Sequence, residues 1–260
     1  MLFKALLLES WYDLSDVEVA LEIHDRRSFE RFIGPEIRNY HLDDTTLVKF
    51  RNRLREKGVL DRVWMEVDKA MTASNLAVKK GVIIDSTLVE PACRPESKRA
   101  DGEPVDPDAG YVKRKDRAIS GYKIHISTDD KTDIIRKMEI VFITEHDQRR
   151  FGELIPDDAG RVYADKGYAS EEHDYYLLER GIRNRVLYKA ARGRRLLAWQ
   201  LAANRRWSKV RSRVEAKFAD LKRWCSMDRM RYYGMERNRL WMLVCGMACN
   251  FKRAGTLAAA

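Results

Sequence analysis

Gly81-Val-Ile-Ile-Asp85-Ser-Thr-Leu-Val89 is the stretch at which the chain changes period. A β-branched, apolar run of this kind reads as a buried strand, here interrupted by one acid. Burying an unpaired carboxylate is expensive, so such an acid normally has a cation, a metal or hydrogen-bond donors waiting. For Asp85 alone, a strand-end hydrogen bond to Ser86 or Thr87 is an equally good account.

Everything before this stretch reads as helix. Leu6–Trp11 is apolar, Ser15 or Asp16 caps Val17–Ile23, and Ser28 caps Phe29–Phe32, which stops at Gly34-Pro35. Thr45 or Thr46 caps a helix with Leu47, Phe50 and Leu54 on one face. Lys49, Arg51, Arg53 and Arg55 point elsewhere on it, and it ends at Gly58. Leu60–Met71 continues the pattern. Residues 1–78 are therefore expected to form a small all-helical domain. It is either a helix-turn-helix-like DNA reader, with Lys49, Arg51 and Arg53 toward a groove, or a bundle with solvated arginines.

After the first strand, Pro91–Lys115 is polar, Pro-rich and without period, and reads as a long loop. Gly121–Ser127 alternates, Ile134–Ile143 is a second strand, and Asp129-Asp130 in their connection makes a hairpin. A helix around Gln148–Leu154, a short strand Arg161–Ala164 ending at Asp165, a helix Glu171–Arg180 and a strand Ile182–Tyr188 follow. The order predicts an α/β domain over 79–252 built on a mixed sheet. Asp165 sits at a strand's carboxyl end, where ligands gather in open α/β sheets. A turn-starting Asp-x-Gly is its ordinary alternative.

The last third is basic. Residues 171–260 hold 21 Lys/Arg against 8 Asp/Glu, or +13, whereas the remainder holds 29 against 32, or −3. Such a surface favours a polyanion as partner. Between Arg180 and Arg223 there are fifteen Lys/Arg and two acids, Glu215 and Asp220. Trp207, Val210, Val214, Phe218, Leu221 and Cys225 recur at helical spacing and predict a buried stripe. Arg211, Glu215 and Lys222 fall within about 40° of one another beside it. The wheel therefore places a carboxylate flanked by cations at the edge of the buried face.

The four cysteines, Cys93, Cys225, Cys245 and Cys249, form no CxxC pair, and Cys245 and Cys249 read as small core residues. No apolar run approaches a membrane span, and Met1–Leu8 is too short for a signal peptide and carries Lys4. A reducing cytoplasm suits this pattern.

Asp85, Asp165 and Glu215, in that order on a strand, a strand end and a late basic helix, carry more jointly than singly. Together with Leu6-Leu-Leu8…Trp11-Tyr-Asp-Leu-Ser15-Asp, Asp44-Thr-Thr-Leu-Val-Lys-Phe-Arg-Asn-Arg-Leu54, Asp106-Pro-Asp-Ala, Gly121-Tyr-Lys-Ile-His125, Tyr163-Ala-Asp165-Lys-Gly-Tyr168 and Arg211-x3-Glu215-x6-Lys222, they make the chain resemble the DDE transposases of bacterial insertion sequences, in the family usually numbered five. The chain begins inside the first of these motifs, which leaves room for an upstream segment.

The resemblance implies an RNase H-like core in which Asp85, Asp165 and Glu215 are catalytic metal ligands. They would hold two Mg²⁺ ions, with Mn²⁺ as a substitute. It implies cleavage at the element's ends and transfer of the 3′-hydroxyl into target DNA. The partners are then the terminal inverted repeats and target DNA, with a homo-oligomer on DNA, in a bacterial cytoplasm at the nucleoid. Arg211 and Lys222 are expected on phosphates, as are Arg192, Arg194, Arg195 and Lys123. Lys123 and His125 share a face by alternation, and His125 is equally well a packed histidine. Asp106 and Asp108 are competing acids, ranked second because a loop is a poorer platform for a metal. A nuclease of the same fold without strand transfer, and a non-catalytic DNA-binding protein, are the alternatives.

Overall fold

The computed structural model describes residues 1–77, 80–94, 97–114, 117–191 and 193–259. The boundary expected at 78/79 lies outside the described residues. Five α-helices come first: α1 Leu2–Tyr12, α2 Asp16–Asp25, α3 Arg27–Ile33, α4 Asp44–Glu56 and α5 Val59–Ala73. Ser15 starts α2 with a capping box closed by Glu18. Helix α3 begins after Arg26 with no side-chain cap, so Ser28 lies inside it. The cap of α4 is Asp43, whose carboxylate accepts from the Thr46 backbone N–H at 2.7 Å. Thr46 supplies the donor there, not the cap.

Arg51 departs from the expected exposed set. It stands four residues after Leu47, hence on the same face, and is buried against Glu9 of α1 and Asp16 of α2. A groove-facing role for α4 is left to Lys49 and Arg53, which are exposed.

The strands are β1 Val82–Val89, β2 Gly110–Arg114, β3 Arg117–Asp129, β4 Ile135–Phe142, β5 Arg161–Ala164 and β6 Arg183–Val186. Helix α6, Glu171–Glu179, joins β5 to β6, and α7 Ala198–Cys225 and α8 Met235–Ala258 close the chain. Strand β2 falls within the stretch expected to be loop. It is held by pairing with the first part of β3, a partner that its own irregular sequence does not announce. The helix expected near Gln148 is a pair of short 3₁₀ turns, Asp147–Arg150 and Gly152–Leu154.

Strand β1 runs antiparallel to β3 and parallel to β5, β3 is antiparallel to β4, and β5 is parallel to β6. Three antiparallel strands continued by two parallel ones make the mixed sheet of an RNase H-like fold. At Gly121, φ is +133° and an added Cβ would stand 2.0 Å from the Val89 carbonyl oxygen, so β3 crosses the end of β1 at glycine contact.

The sheet is covered on both faces. One cluster lies under α6 and the 3₁₀ turns and includes Ile84, Val162, Phe151 and Leu177. The larger one runs without a break from Leu6 and Leu7 of α1 through Trp64 of α5 and Met247 of α8 to Ile83, Ile124 and Ile126. The amino-terminal helices and the sheet thus share one core, with α8 between them. Asn250 of α8 pairs its amide with both backbone groups of Ile135 at 2.8 Å, satisfying part of the β4 edge. Arg136 of β4 is buried and bridges Asp68 of α5 and Asp158.

Gly246 marks the tightest approach. A Cβ there would meet Met138 Sδ at 2.4 Å and the Trp64 ring at 2.8 Å, and that ring is fixed by its N–H bond to the Arg136 carbonyl at 3.1 Å. Met138 can yield, whereas the indole cannot. Gly246→Ala is therefore expected to destabilise the fold by a net ~1–2 kcal/mol, overpacking exceeding the helix-propensity gain. Urea unfolding would register this as a lower midpoint at unchanged slope.

Candidate active site

Strands β1 and β5 pair with Ile84 opposite Ala164. Asp85 and Asp165 are the next residues on these adjoining strands. Alternation sends Val82, Ile84, Val162 and Ala164 to the α6 side, and Ile83 and Tyr163 to the α7 side. Asp85 follows Ile83 and Asp165 follows Tyr163, so both acids belong to the face that α7 covers.

Asp85 is 17% exposed, and its Oδ1 accepts from the Ser86 backbone N–H at 2.8 Å. Burial pushes its carboxyl above the ordinary value, and the charge of Asp165 pushes the same way; the Ser86 N–H and Arg211 oppose them. A carboxylate so placed is short of positive charge.

Helix α7 supplies that charge. Its stripe is buried as the spacing predicts, with Val210 partly covered. Arg211 donates from Nη1 to Asp85 Oδ2 and from Nη2 to Glu215 Oε1, the latter at 3.2 Å. Arg211 is 21% exposed but Glu215 is 63% exposed, which corrects its expected place at the edge of the buried face. On the wheel Glu215 lies one further step from the apolar stripe than Arg211, and that step carries it into solvent. Lys222 is exposed on the same side. Among the described residues no three His, Cys, Asp or Glu side chains are gathered closely enough to hold a metal. Asp85 and Asp165 are neighbours, and Glu215 stands off across the guanidinium of Arg211.

Lys123 and His125 do share a face, but it is the opposite one. His125 lies across from Ser86, and Ile126 across from Asp85. Lys123 is 11% exposed and donates to the Glu145 carbonyl and, at 3.0 Å, to Asp147 Oδ1. The structure therefore does not bring Lys123 to Asp85 and Arg211. Ser86 Oγ donates to the same Asp147 oxygen at 3.4 Å. His125 Nδ1 and the Tyr168 hydroxyl are 2.8 Å apart. Burial pushes His125 down to about 4, which leaves the ring neutral near pH 7. His173 Nδ1 lies 2.7 Å from the Tyr168 carbonyl oxygen. This network pins the segment after Asp165 to β3 and so fixes the distance between the two aspartates. Asp147 is its hub, and sequence reasoning missed it because it stands in an aperiodic connection.

Asp106 and Asp108 have structural employment. Asp106 Oδ1 accepts from the Tyr122 hydroxyl at 2.6 Å and from the Gly234 N–H at 3.1 Å, and Asp108 Oδ2 accepts from the Met235 N–H at 2.7 Å. Both thus cap the start of α8, where backbone donors and the helix dipole favour a carboxylate.

Arg194 and Arg195 are exposed in the connection from β6 to α7, and Arg192 lies outside the described residues. Beside them Trp199, Tyr188 and Trp207 form a row with ring centroids 5.2 and 5.4 Å apart, and Arg185 lies over Trp207 at 5.1 Å. All four cysteines are free, and no described helix is long and apolar enough to cross a membrane.

A family model described as the transposase DDE domain matches residues 77–251, and one described as transposase domain (DUF772) matches residues 1–53. Among solved structures, the chain is similar to a piggyBac transposase in a synaptic complex with hairpin DNA, at 12% identity and a TM-score of 0.45 over 98% of this chain. It spans 66% of the length of that piggyBac chain. A pre-cleavage Mos1 transpososome is matched at 12% identity and a TM-score of 0.26, covering 92% of this chain and 79% of that one. With two thirds of its length within the first of these family models, including all three acids of the candidate site, the chain belongs to the transposase DDE domain family.

Proposed function

We propose that the chain is a transposase that cuts DNA at the ends of a bacterial insertion sequence and joins the freed 3′-hydroxyl to target DNA. One observation carries the reading: Asp85, inside β1, and Asp165, directly after β5, follow the last residue pair of two adjoining parallel strands on the face covered by the basic helix that bears Glu215. Three carboxylates are hard oxygen donors of the kind that suits Mg²⁺, with Mn²⁺ as a substitute. The carboxyl of Asp85, raised first by burial and further by the charge of Asp165, fits a site that gains from added positive charge.

Asp85, Asp165 and Glu215 would hold two ions, which when bound make the attacking oxygen nucleophilic and stabilise the leaving one. The chain's own residues place the DNA. Arg211 and Lys222, one turn before and two turns after Glu215, receive backbone phosphates on either side of the carboxylates. Arg194 and Arg195 extend that track along the β6–α7 connection, and Arg192 is proposed as a third phosphate contact. In the first step a water oxygen bonds to phosphorus and the bond to the 3′ oxygen breaks, leaving a 3′-hydroxyl. In the second, that hydroxyl attacks a target phosphodiester, one P–O bond forms as another breaks, and no external energy source is required.

On this reading residues 1–78 read the terminal repeats through Lys49 and Arg53, and residues 79–252 perform the chemistry. Because the two share a core, both operate only in the whole chain. The reaction joins two ends to one target, which calls for more than one copy of the chain on DNA, in the cytoplasm at the nucleoid.

Asp85→Asn, Asp165→Asn and Glu215→Gln should each lower cleavage by on the order of a thousandfold while DNA affinity stays within about threefold, since phosphate contacts are untouched. A gel assay with an element end, Mg²⁺ and a target plasmid reads cleavage and joining together. Near wild-type cleavage by Glu215→Gln would sink the assignment, and cutting without joined product would make the protein a nuclease.

DNA affinity should also fall steeply with salt. Replacing Arg192, Arg194 and Arg195 together with Gln should flatten the log–log slope by about two units or more, at about 0.9 per lost phosphate contact. An unchanged slope would leave the connection as solvated chain.

A further inference from the structure

Both oxygens of Asp85 are already engaged within the protein. Oδ1 takes the Ser86 N–H at 2.8 Å, and Oδ2 takes Nη1 of Arg211. The other arm of the same guanidinium donates to the exposed Glu215 Oε1 at 3.2 Å. Its Nε is buried and has no hydrogen-bond partner, so the fork is only partly satisfied where it stands. A guanidinium and a divalent ion compete for Asp85 Oδ2, because two cations then repel each other across one oxygen. A DNA phosphate, by contrast, matches the planar fork with two parallel N–H bonds.

We propose that Arg211 is a positioning residue that stands in for the metal: it compensates Asp85 and Glu215 before DNA arrives, and a backbone phosphate then draws it away and frees Asp85 Oδ2. The proposal deepens the reading of the carboxylates as metal ligands and rests on it. Its consequence is that DNA and metal favour each other's binding, with Arg211 as the coupling element. Metal is then taken up mainly where DNA is present to be cut.

Mn²⁺ binding to the whole chain, measured by calorimetry with and without a short duplex and corrected for the duplex's own Mn²⁺ uptake, tests this. Without DNA, Arg211→Gln should bind Mn²⁺ about threefold to tenfold more tightly than wild type. Lys209→Gln, which removes one exposed charge from the same helix, should change the affinity by less than about twofold. The duplex should tighten binding to wild type and have little effect on Arg211→Gln. Equal DNA-free affinities for wild type and Arg211→Gln, with binding still lost in Asp85→Asn, would overturn the role of Arg211 and leave the carboxylate site standing. Binding that survives Asp85→Asn, or no binding in any variant, would overturn the carboxylate reading itself. Circular dichroism checks folding. Should Arg211→Gln fail to fold, Arg211→Lys keeps the charge but cannot span both acids, and it too should bind more tightly than wild type. Equal affinity there would also overturn the proposal.

Discussion

Two carboxylates on adjoining strands, half withdrawn from water, repel one another unless a cation stands close, and that electrostatic demand organises this molecule. The parallel register of β1 and β5 creates it by setting Asp85 beside Asp165 on one face. Helix α7 answers it by laying an arginine-rich flank across that face, with Arg211 reaching Asp85. The burial of Trp207, Val214, Phe218 and Leu221 holds the helix there, so the charge pattern of its outer side is aligned by the packing of its inner side. Neighbouring features serve the same geometry. The His125–Tyr168 pair anchors the segment after Asp165, and Asp147 ties Ser86 and Lys123 beneath it.

Helix α8 is the second organiser. Capped by Asp106 and Asp108, it passes between the amino-terminal helices and the sheet, presents Gly246 to Trp64 and Met138, and closes the β4 edge through Asn250. Helix α1 packs against it, and Glu9 of α1 lies between Arg51 of α4 and Arg231 of the α7–α8 connection. The open side of α7 and the exposed arginines before it present a basic track, with Trp199 exposed at the start of the helix.

Apolar pattern revealed the parts of this structure whose packed faces are continuous in sequence. The α7 stripe was legible because one face of that helix packs and the other does not, whereas the strand Val82–Val89 showed as an unbroken apolar run because both of its faces pack. What could not be read came from partners distant in sequence. Arg51 looks like any exposed arginine until Glu9 and Asp16 stand beside it, although its four-residue spacing from Leu47 was a usable hint. Strand β2 has no alternation of its own and exists through β3. Asp106 and Asp108 looked like spare ligands because the helix they cap starts more than a hundred residues later. Lys123 was read by its own strand's alternation, whereas its distance from Asp85 is decided by the cross-strand register, which one sequence does not display. For Glu215 the wheel gave the right neighbours and misjudged burial, since one step around a helix separates a half-buried arginine from an exposed glutamate.

On the proposed function, Asp85 and Asp165, with Glu215 brought to them, form one cation-holding centre under α7. Crystals of the whole chain bound to a DNA end and soaked in Mn²⁺ would test it most directly through their anomalous difference map. The strongest peak is expected between the carboxylates of Asp85 and Asp165, with Glu215 turned toward it and Arg211 on a phosphate. A strongest peak elsewhere, beside Asp147 or at the Asp106–Asp108 cap, with Arg211 still on Asp85, would contradict it.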